Sequence, residues 1–179
     1  VGAWLTRWLV DAGAHTVAFI SDTDPQSELI RSGYIDRVAV MNGRLENYED
    51  VERTINNQEV DSIIHLGAQP IVGAADRSPR HTFESNIQGT WNVLDAARVL
   101  GGLVQRVVVA SSDKAYGTQP VLPYTENMSM NGDHPYEVSK SCTDLISTTY
   151  ARTYGLPVTI ARCGNIYGGG DLNWNRIVP

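Results

Sequence analysis

Cysteine is scarce in this chain. Cys142 and Cys163 are the only two, too few for the disulfide framework of a small secreted fold, so a reducing cytoplasm is the expected setting. Nothing resembles a secretory leader, and no apolar run reaches the ~20 residues that a membrane-spanning helix requires. Basic charge is also in deficit. Fourteen Lys and Arg stand against twenty Asp and Glu, a net charge of −6, which argues against nucleic acid as a partner. His15, His65, His81 and His134 are scattered, and with two cysteines they offer no metal-ligand spacing, so no metal site is expected. Internal repeats and low-complexity linkers are absent.

What is present is the composition of a folded domain: 42% hydrophobic and 19% charged residues in 179, enough for one core and short for two. Both ends read as cut. Val1-Gly2-Ala3-Trp4-Leu5 enters a helix with no N-cap before it, and Arg176-Ile177-Val178-Pro179 stops in an apolar stretch, so residues 1–179 are expected to be one domain, incomplete at both ends, of a longer protein.

Trp4, Leu5, Trp8 and Leu9 recur at helical spacing before Gly13. Strand-like runs follow at Thr16–Ile20 and Arg37–Val40, then a polar helix at 49–58 and a strand at Asp61–Leu66 that leads into a Gly/Ala loop. A long helix is expected over 79–100, with Phe83, Ile87, Leu94 and Ala97 available for one face. A strand at 106–110, a helix at 135–154 closed by Gly155, and a strand at 158–161 complete the pattern. Strands separated by helices pair in parallel, so the expected fold is α/β, a doubly wound parallel sheet. Such a sheet binds ligands beyond the carboxyl ends of its strands, here the segments after residues 20, 66, 110 and 161.

The strongest local signal is Tyr136-Glu137-Val138-Ser139-Lys140, because a spacing of four places phenol and ammonium on one helix face. A free phenol titrates near ~10, and an adjacent ammonium favours its ionised form, which makes Tyr136 a candidate base at neutral pH. Such pairs also occur by chance on solvated helix faces. The second signal is Ser111-Ser112-Asp113-Lys114-Ala115-Tyr116-Gly117 at the end of the Val107-Val108-Val109 strand. Ser112 can hydrogen-bond a reacting hydroxyl, Asp113 can exchange a proton, and Lys114 adds a charged group. The plain alternative is a strand-end turn rich in small polar residues. Asp22, twenty residues beyond Gly2, stands where an acidic residue meets the adenosine ribose of NAD, although turns favour Asp on their own account. Trp4, Trp8 and Trp91 read as packing or interface residues.

With Ser112 and Tyr136 in this order, the chain resembles the extended short-chain dehydrogenase/reductase superfamily, within it the NAD-dependent nucleotide-sugar epimerases and dehydratases, and most of all the CDP-glucose 4,6-dehydratases. The matching stretches are His65-Leu66-Gly67-Ala68-Gln69-Pro70, Thr82-Phe83-Glu84-Ser85-Asn86-Ile87-Gln88-Gly89-Thr90, Ser112-Asp113-Lys114, Asp133-His134-Pro135-Tyr136 and Arg162-Cys163-Gly164-Asn165-Ile166-Tyr167-Gly168-Gly169-Gly170-Asp171. The resemblance implies a Rossmann fold that lacks its first strand and its C-terminal substrate lobe. It implies that Tyr136, Lys140 and Ser112 form the catalytic triad, that Asp113 protonates a departing C6 hydroxyl, and that Lys114 stands at the position of the residue that removes the C5 proton. Gly2, Asp22, Gly67, Ala68, Tyr136, Lys140 and Cys163 would line NAD, and Asn165 and Arg176 would meet a nucleotide-diphosphate sugar. A homodimer packed through helices 79–100 and 135–154 is implied as well.

Departures accompany the match. Of the family's phosphate-binding glycines only the last, Gly2, is present, and Arg44 in Asn42-Gly43-Arg44-Leu45 replaces a common adenine-contacting carboxylate. A 4-epimerase or keto-sugar reductase needs Ser112, Tyr136 and Lys140 but not Asp113. A non-catalytic cofactor-binding or inactive truncated chain would need none of them.

Overall fold

Alternation of apolar strands with amphipathic helices yields, in the computed structural model, five parallel-paired strands and seven α-helices among the described residues, 1–171 and 173. They form two compact units, Val1–Gly43 with the chain from Asn165, and Arg44–Gly164. No helix among the described residues is long and apolar enough to cross a membrane.

In the first unit α1 (Gly2–Asp11) carries the tryptophans. Trp4 donates its indole N–H to Gly169 O at 2.7 Å, whereas Trp8 is 65% exposed. Gly13 stops the helix with φ +85. Strand β1 (Val17–Ile20) pairs with β2 (Ala39–Asn42) from Val17↔Ala39 to Ile20↔Asn42. The sequence places β2 two residues early, because Arg37 closes a 3₁₀ turn, Tyr34–Arg37. That turn and the four-residue α2 (Glu28–Arg31) are too short for a periodic signal.

The second unit holds a three-stranded sheet in the order β3 (Ser62–His65), β4 (Arg106–Ser112), β5 (Val158–Cys163). Strands β4 and β5 stay in register to Ser112↔Cys163, two residues beyond what their apolar runs predict. On β4, Val107, Val109 and Ser111 are buried, while Val108 and Ala110 are partly exposed. One face of the sheet is thus covered more fully than the other. Helix α3 (Tyr48–Asn57) starts where Asn47 accepts from Glu49 N at 3.1 Å, a side-chain cap, and packs on α6 (Gly89–Val99). Helix α4 (Val72–Arg77) occupies the segment that reads as a Gly/Ala loop.

The expected helix over 79–100 is there as a composite: α5 (Pro79–Phe83), a π-helical turn over Glu84–Gln88, then α6. Its inner stripe differs from the apolar reading. Thr82, Asn86, Thr90, Leu94 and Ala97 are buried, whereas Phe83 and Ile87 are only partly so. The first half of the rod therefore buries polar side chains, which its hydrogen bonds explain below. Helix α7 (Pro135–Tyr154) has the predicted bounds. Pro135 sits at the first position, where no backbone donor is needed. Gly155 ends the helix in the left-handed region at φ +68, which costs a glycine nothing.

Candidate active site

Strand β4 delivers the serine turn to the carboxyl edge of its sheet. Ser112 caps the 3₁₀ turn Asp113–Tyr116: its Oγ accepts from Lys114 N at 3.2 Å and donates to Asp113 Oδ1 at 3.1 Å. Asp113 is partly exposed and Lys114 exposed, so carboxyl and amine present themselves from adjacent positions. The carboxylate reaches over the end of β5, since a Cβ on Gly164 would lie 3.9 Å from Asp113 Oδ2. Gly117 closes the turn at φ +62. A Cβ there would meet Asn131 O at 1.8 Å, so only glycine fits.

Helix α7 supplies Tyr136 and Lys140. The Glu137 carboxylate reaches back to Asp133 N at 3.1 Å and His134 N at 3.5 Å, which satisfies orphan donors of the first turn and fixes where Tyr136 begins its face. Lys140 is buried and its Nζ donates to Ala110 O at 2.8 Å. Ser141 Oγ donates to Ala115 O at 2.9 Å. The helix is thereby tied to the chain on both sides of Ser112-Asp113-Lys114. Burial lowers the Lys140 ammonium to about 8, with nearby Cys163 acting in the opposite direction. Ser112, Asp113, Lys114, Tyr136, Lys140 and Cys163 all belong to the second unit, where Ser112 pairs in register with Cys163 and α7 is tied to the chain around the serine turn.

Gly67 and Ala68 follow β3. Gly67 has a packing reason of its own, since a Cβ there would fall 2.5 Å from Leu45 Cδ1. The loop is held by a residue that the apolar periodicity passes over. Asn86, 1% exposed on the π-helical turn, accepts from Gln69 N at 2.6 Å and donates to Gln69 O at 3.2 Å and to Ser139 Oγ at 2.9 Å. Ser139 Oγ in turn donates to Tyr136 O at 2.7 Å. Thr90 Oγ1 donates to Asn86 O at 2.6 Å and lies 3.1 Å from His65 Nε2. Because the single Thr90 hydroxyl proton goes to the carbonyl, the imidazole donates at Nε2. Burial lowers His65 to about 4, and Lys140 pushes the same way. This network is visible in sequence only as polar residues at helical spacing, Thr82, Asn86 and Thr90.

Three other expected site residues belong to the first unit. Gly2 opens α1, Asp22 follows β1 and Asn165 follows β5, all exposed and all in the first unit. Arg44 N donates to Asp50 Oδ2 at 3.2 Å, and its side chain pairs with Glu46. Arg176 lies outside the described residues.

Comparison with known proteins identifies the family and the fold. The sequence model of the GDP-mannose 4,6-dehydratase family matches residues 1–173. CDP-glucose 4,6-dehydratase of Salmonella typhimurium is 28% identical over 99% of this chain and 52% of its own length. UDP-glucose 4-epimerase of Corynebacterium glutamicum is 30% identical over 72% of this chain and 39% of its own. Among solved structures, dTDP-glucose 4,6-dehydratase from Streptomyces venezuelae with NAD bound superposes with a TM-score of 0.84 at 30% identity, over 94% of this chain and 53% of that one. The chain spans about half the length of the curated relatives it matches over nearly its whole extent.

Proposed function

This chain belongs to the GDP-mannose 4,6-dehydratase family, and from that premise we propose that the whole protein is an NAD-dependent nucleotide-sugar 4,6-dehydratase acting on a CDP-glucose-like substrate. One observation carries the choice of reaction: Asp113 and Lys114 leave the end of β4 side by side, on a turn that α7 brackets at Ala110 and Ala115. An oxidation at C4 needs Ser112, Tyr136 and Lys140. A neighbouring acid and amine are what the loss of water needs in addition.

The residues fit a nicotinamide cofactor by their chemistry: a buried ammonium one helical turn from a phenol, on a helix tied to the chain on both sides of Ser112. The Streptomyces venezuelae relative, with NAD bound, supports the same cofactor. Tyr136 and Lys140 would face its ribose and nicotinamide, with Gly67, Ala68 and Cys163 beside them. When bound, it supplies a hydride acceptor for sugar C4 and later the donor to C6. Tyr136 takes the C4 hydroxyl proton, helped by the charge of Lys140. The Lys114 amine takes the C5 proton, the C5–H electron pair becomes the C5–C6 double bond, the C6 oxygen leaves as water with the proton of Asp113, and Lys114 returns its proton to C5 as C6 is reduced. The protein acts as a homodimer through the composite helix and α7.

Asp113→Asn separates this reading from a 4-epimerase, as which the Corynebacterium glutamicum relative is named. The variant keeps the side chain's size but supplies no proton. The full-length protein given CDP-, dTDP- or UDP-glucose should still develop the reduced-nicotinamide absorbance, while 4-keto-6-deoxy product, followed by mass spectrometry, falls by roughly 10²–10⁴. Product at the wild-type rate, or a wild type that removes water from no sugar offered, would leave the epimerase in its place.

A further inference from the structure

Arg162 is the most heavily engaged cation of the second unit, and none of its partners belongs to the proposed chemistry. It extends from β5 one residue before Cys163. Its Nε and Nη2 grip Asp144 Oδ2 and Oδ1 at 2.7 and 2.9 Å, a two-pronged pair whose carboxylate is almost wholly buried. Asp144 lies on α7 four residues beyond Lys140 and eight beyond Tyr136, so all three share one face of the helix. The remaining nitrogen, Nη1, donates to Tyr116 OH and to Glu126 O, both at 2.8 Å. Tyr116 ends the same 3₁₀ turn that Asp113 begins. Its ring is buried and stacked on Tyr124 at 5.2 Å, and Tyr124 OH donates to Gly117 O at 3.1 Å. One guanidinium therefore joins the helix of the base to the far end of the turn that carries the acid.

We propose that Arg162, anchored on Asp144, is a positioning residue that acts through the Tyr116 hydroxyl to set Asp113 and Lys114 against Tyr136 and Lys140. The inference rests on the dehydratase reading and adds to it a step-specific consequence. A 3₁₀ turn rises about 2 Å per residue, so any shift of Tyr116 is passed within one turn to Asp113. Tyr136 and Lys140 are held separately, by Glu137 at the helix start and by Ala110 O. Loosening the joint thus displaces Asp113 and Lys114 more than Tyr136 and Lys140, and reaches the oxidation step only through Ser112, which caps the turn. Arg is the residue for this task, because a single ammonium cannot grip a carboxylate with two nitrogens and reach a phenol with a third.

Tyr116→Phe tests it with little disturbance, keeping the stacked ring and removing one acceptor. In the full-length protein with CDP-glucose, formation of the 4-keto-6-deoxy product should fall roughly 10-fold relative to development of the reduced-nicotinamide absorbance, within the ~10² that a misplacement of about 1 Å can cost. Arg162→Lys, which keeps the charge and loses the fork, should show a larger split of the same sign. Hydrogen exchange should report faster opening of the Lys114 and Gly117 amides in Tyr116→Phe, even without substrate. Equal loss in both half-reactions, or Arg162→Lys behaving as wild type, would reduce the joint to ordinary scaffolding and overturn the inference. If Arg162→Lys does not fold, Tyr116→Phe decides alone. A wild type that never releases water overturns the functional reading and this inference with it, whereas wild-type elimination with no split in Tyr116→Phe overturns this inference alone.

Discussion

His65 and Lys140 show how one buried neighbourhood sets the charge state of two residues in opposite roles. Burial holds His65 neutral until about pH 4, and its Nε2 donates to Thr90. In the unfolded chain an imidazole takes its proton near ~6.5, so between the two values the unfolded state binds more protons than the folded one. The sign follows: stability tied to the neutral ring is complete above about 6.5 and is lost as pH falls toward 4. The full effect is on the order of 3 kcal/mol. His65→Gln keeps a donor for Thr90 and removes the titration, so urea unfolding at pH 7, 5.5 and 4.5 should show a shallower acid decline than wild type. Parallel declines would mean that His65 is not the group being protonated. Lys140 is different: lowered only to about 8, it stays charged at neutral pH, which is the state that supports Tyr136 as a base.

At the scale of elements, the composite helix Pro79–Val99 holds the site by burying amides and hydroxyls where a core helix usually buries aliphatics. The π-helical turn places Asn86 so that one side chain meets Gln69 twice and Ser139 once, which joins the loop after β3 to α7. Asn86→Ala strands the Gln69 N–H and should cost about 1–3 kcal/mol in denaturant unfolding. It should also weaken NAD binding to the full-length protein, measured by calorimetric titration, because Gly67 and Ala68 lose their brace. Unchanged affinity would separate this loop from the cofactor. Sequence patterns were informative where a signal is periodic or terminal: α7 has its predicted bounds because Pro135 and Gly155 mark both ends, and β4 and β5 stand where their β-branched runs lie. Tyr136, Lys140, Ser112 and Asp113 could be singled out as candidates because helical spacing and strand-end position are local properties. The brackets that tie α7 to the serine turn, Lys140 to Ala110 and Ser141 to Ala115, join residues 30 and 26 positions apart, which no local pattern encodes. The inner stripe misled for a related reason: Phe83 and Ile87 satisfy an apolar period, but buried Thr82, Asn86 and Thr90 are stabilised by hydrogen bonds that periodicity does not score.

At the scale of the whole molecule the proposed homodimer turns on the outer faces of α6 and α7. Both keep large apolar side chains in water, Trp91 at 43% exposure and Leu145 at 57%. Each Å² of apolar surface removed from water returns roughly 25 cal/mol, and a stable dimer covers about 800 Å² per partner, which two helices can supply. In a two-fold interface every residue is used twice. Trp91→Glu with Leu145→Glu would therefore place four carboxylates at the contact and remove four apolar contributors, while a monomer would carry all of them in solvent at little cost. Sedimentation of the full-length protein should show a dimer for wild type and a monomer for the double variant, with unchanged far-ultraviolet dichroism. If the double variant still sediments as a dimer, the contact is formed by another surface. If wild type sediments as a monomer, the homodimer proposal fails while the chemistry proposed for Tyr136 and Asp113, which lies within one chain, stands unaffected.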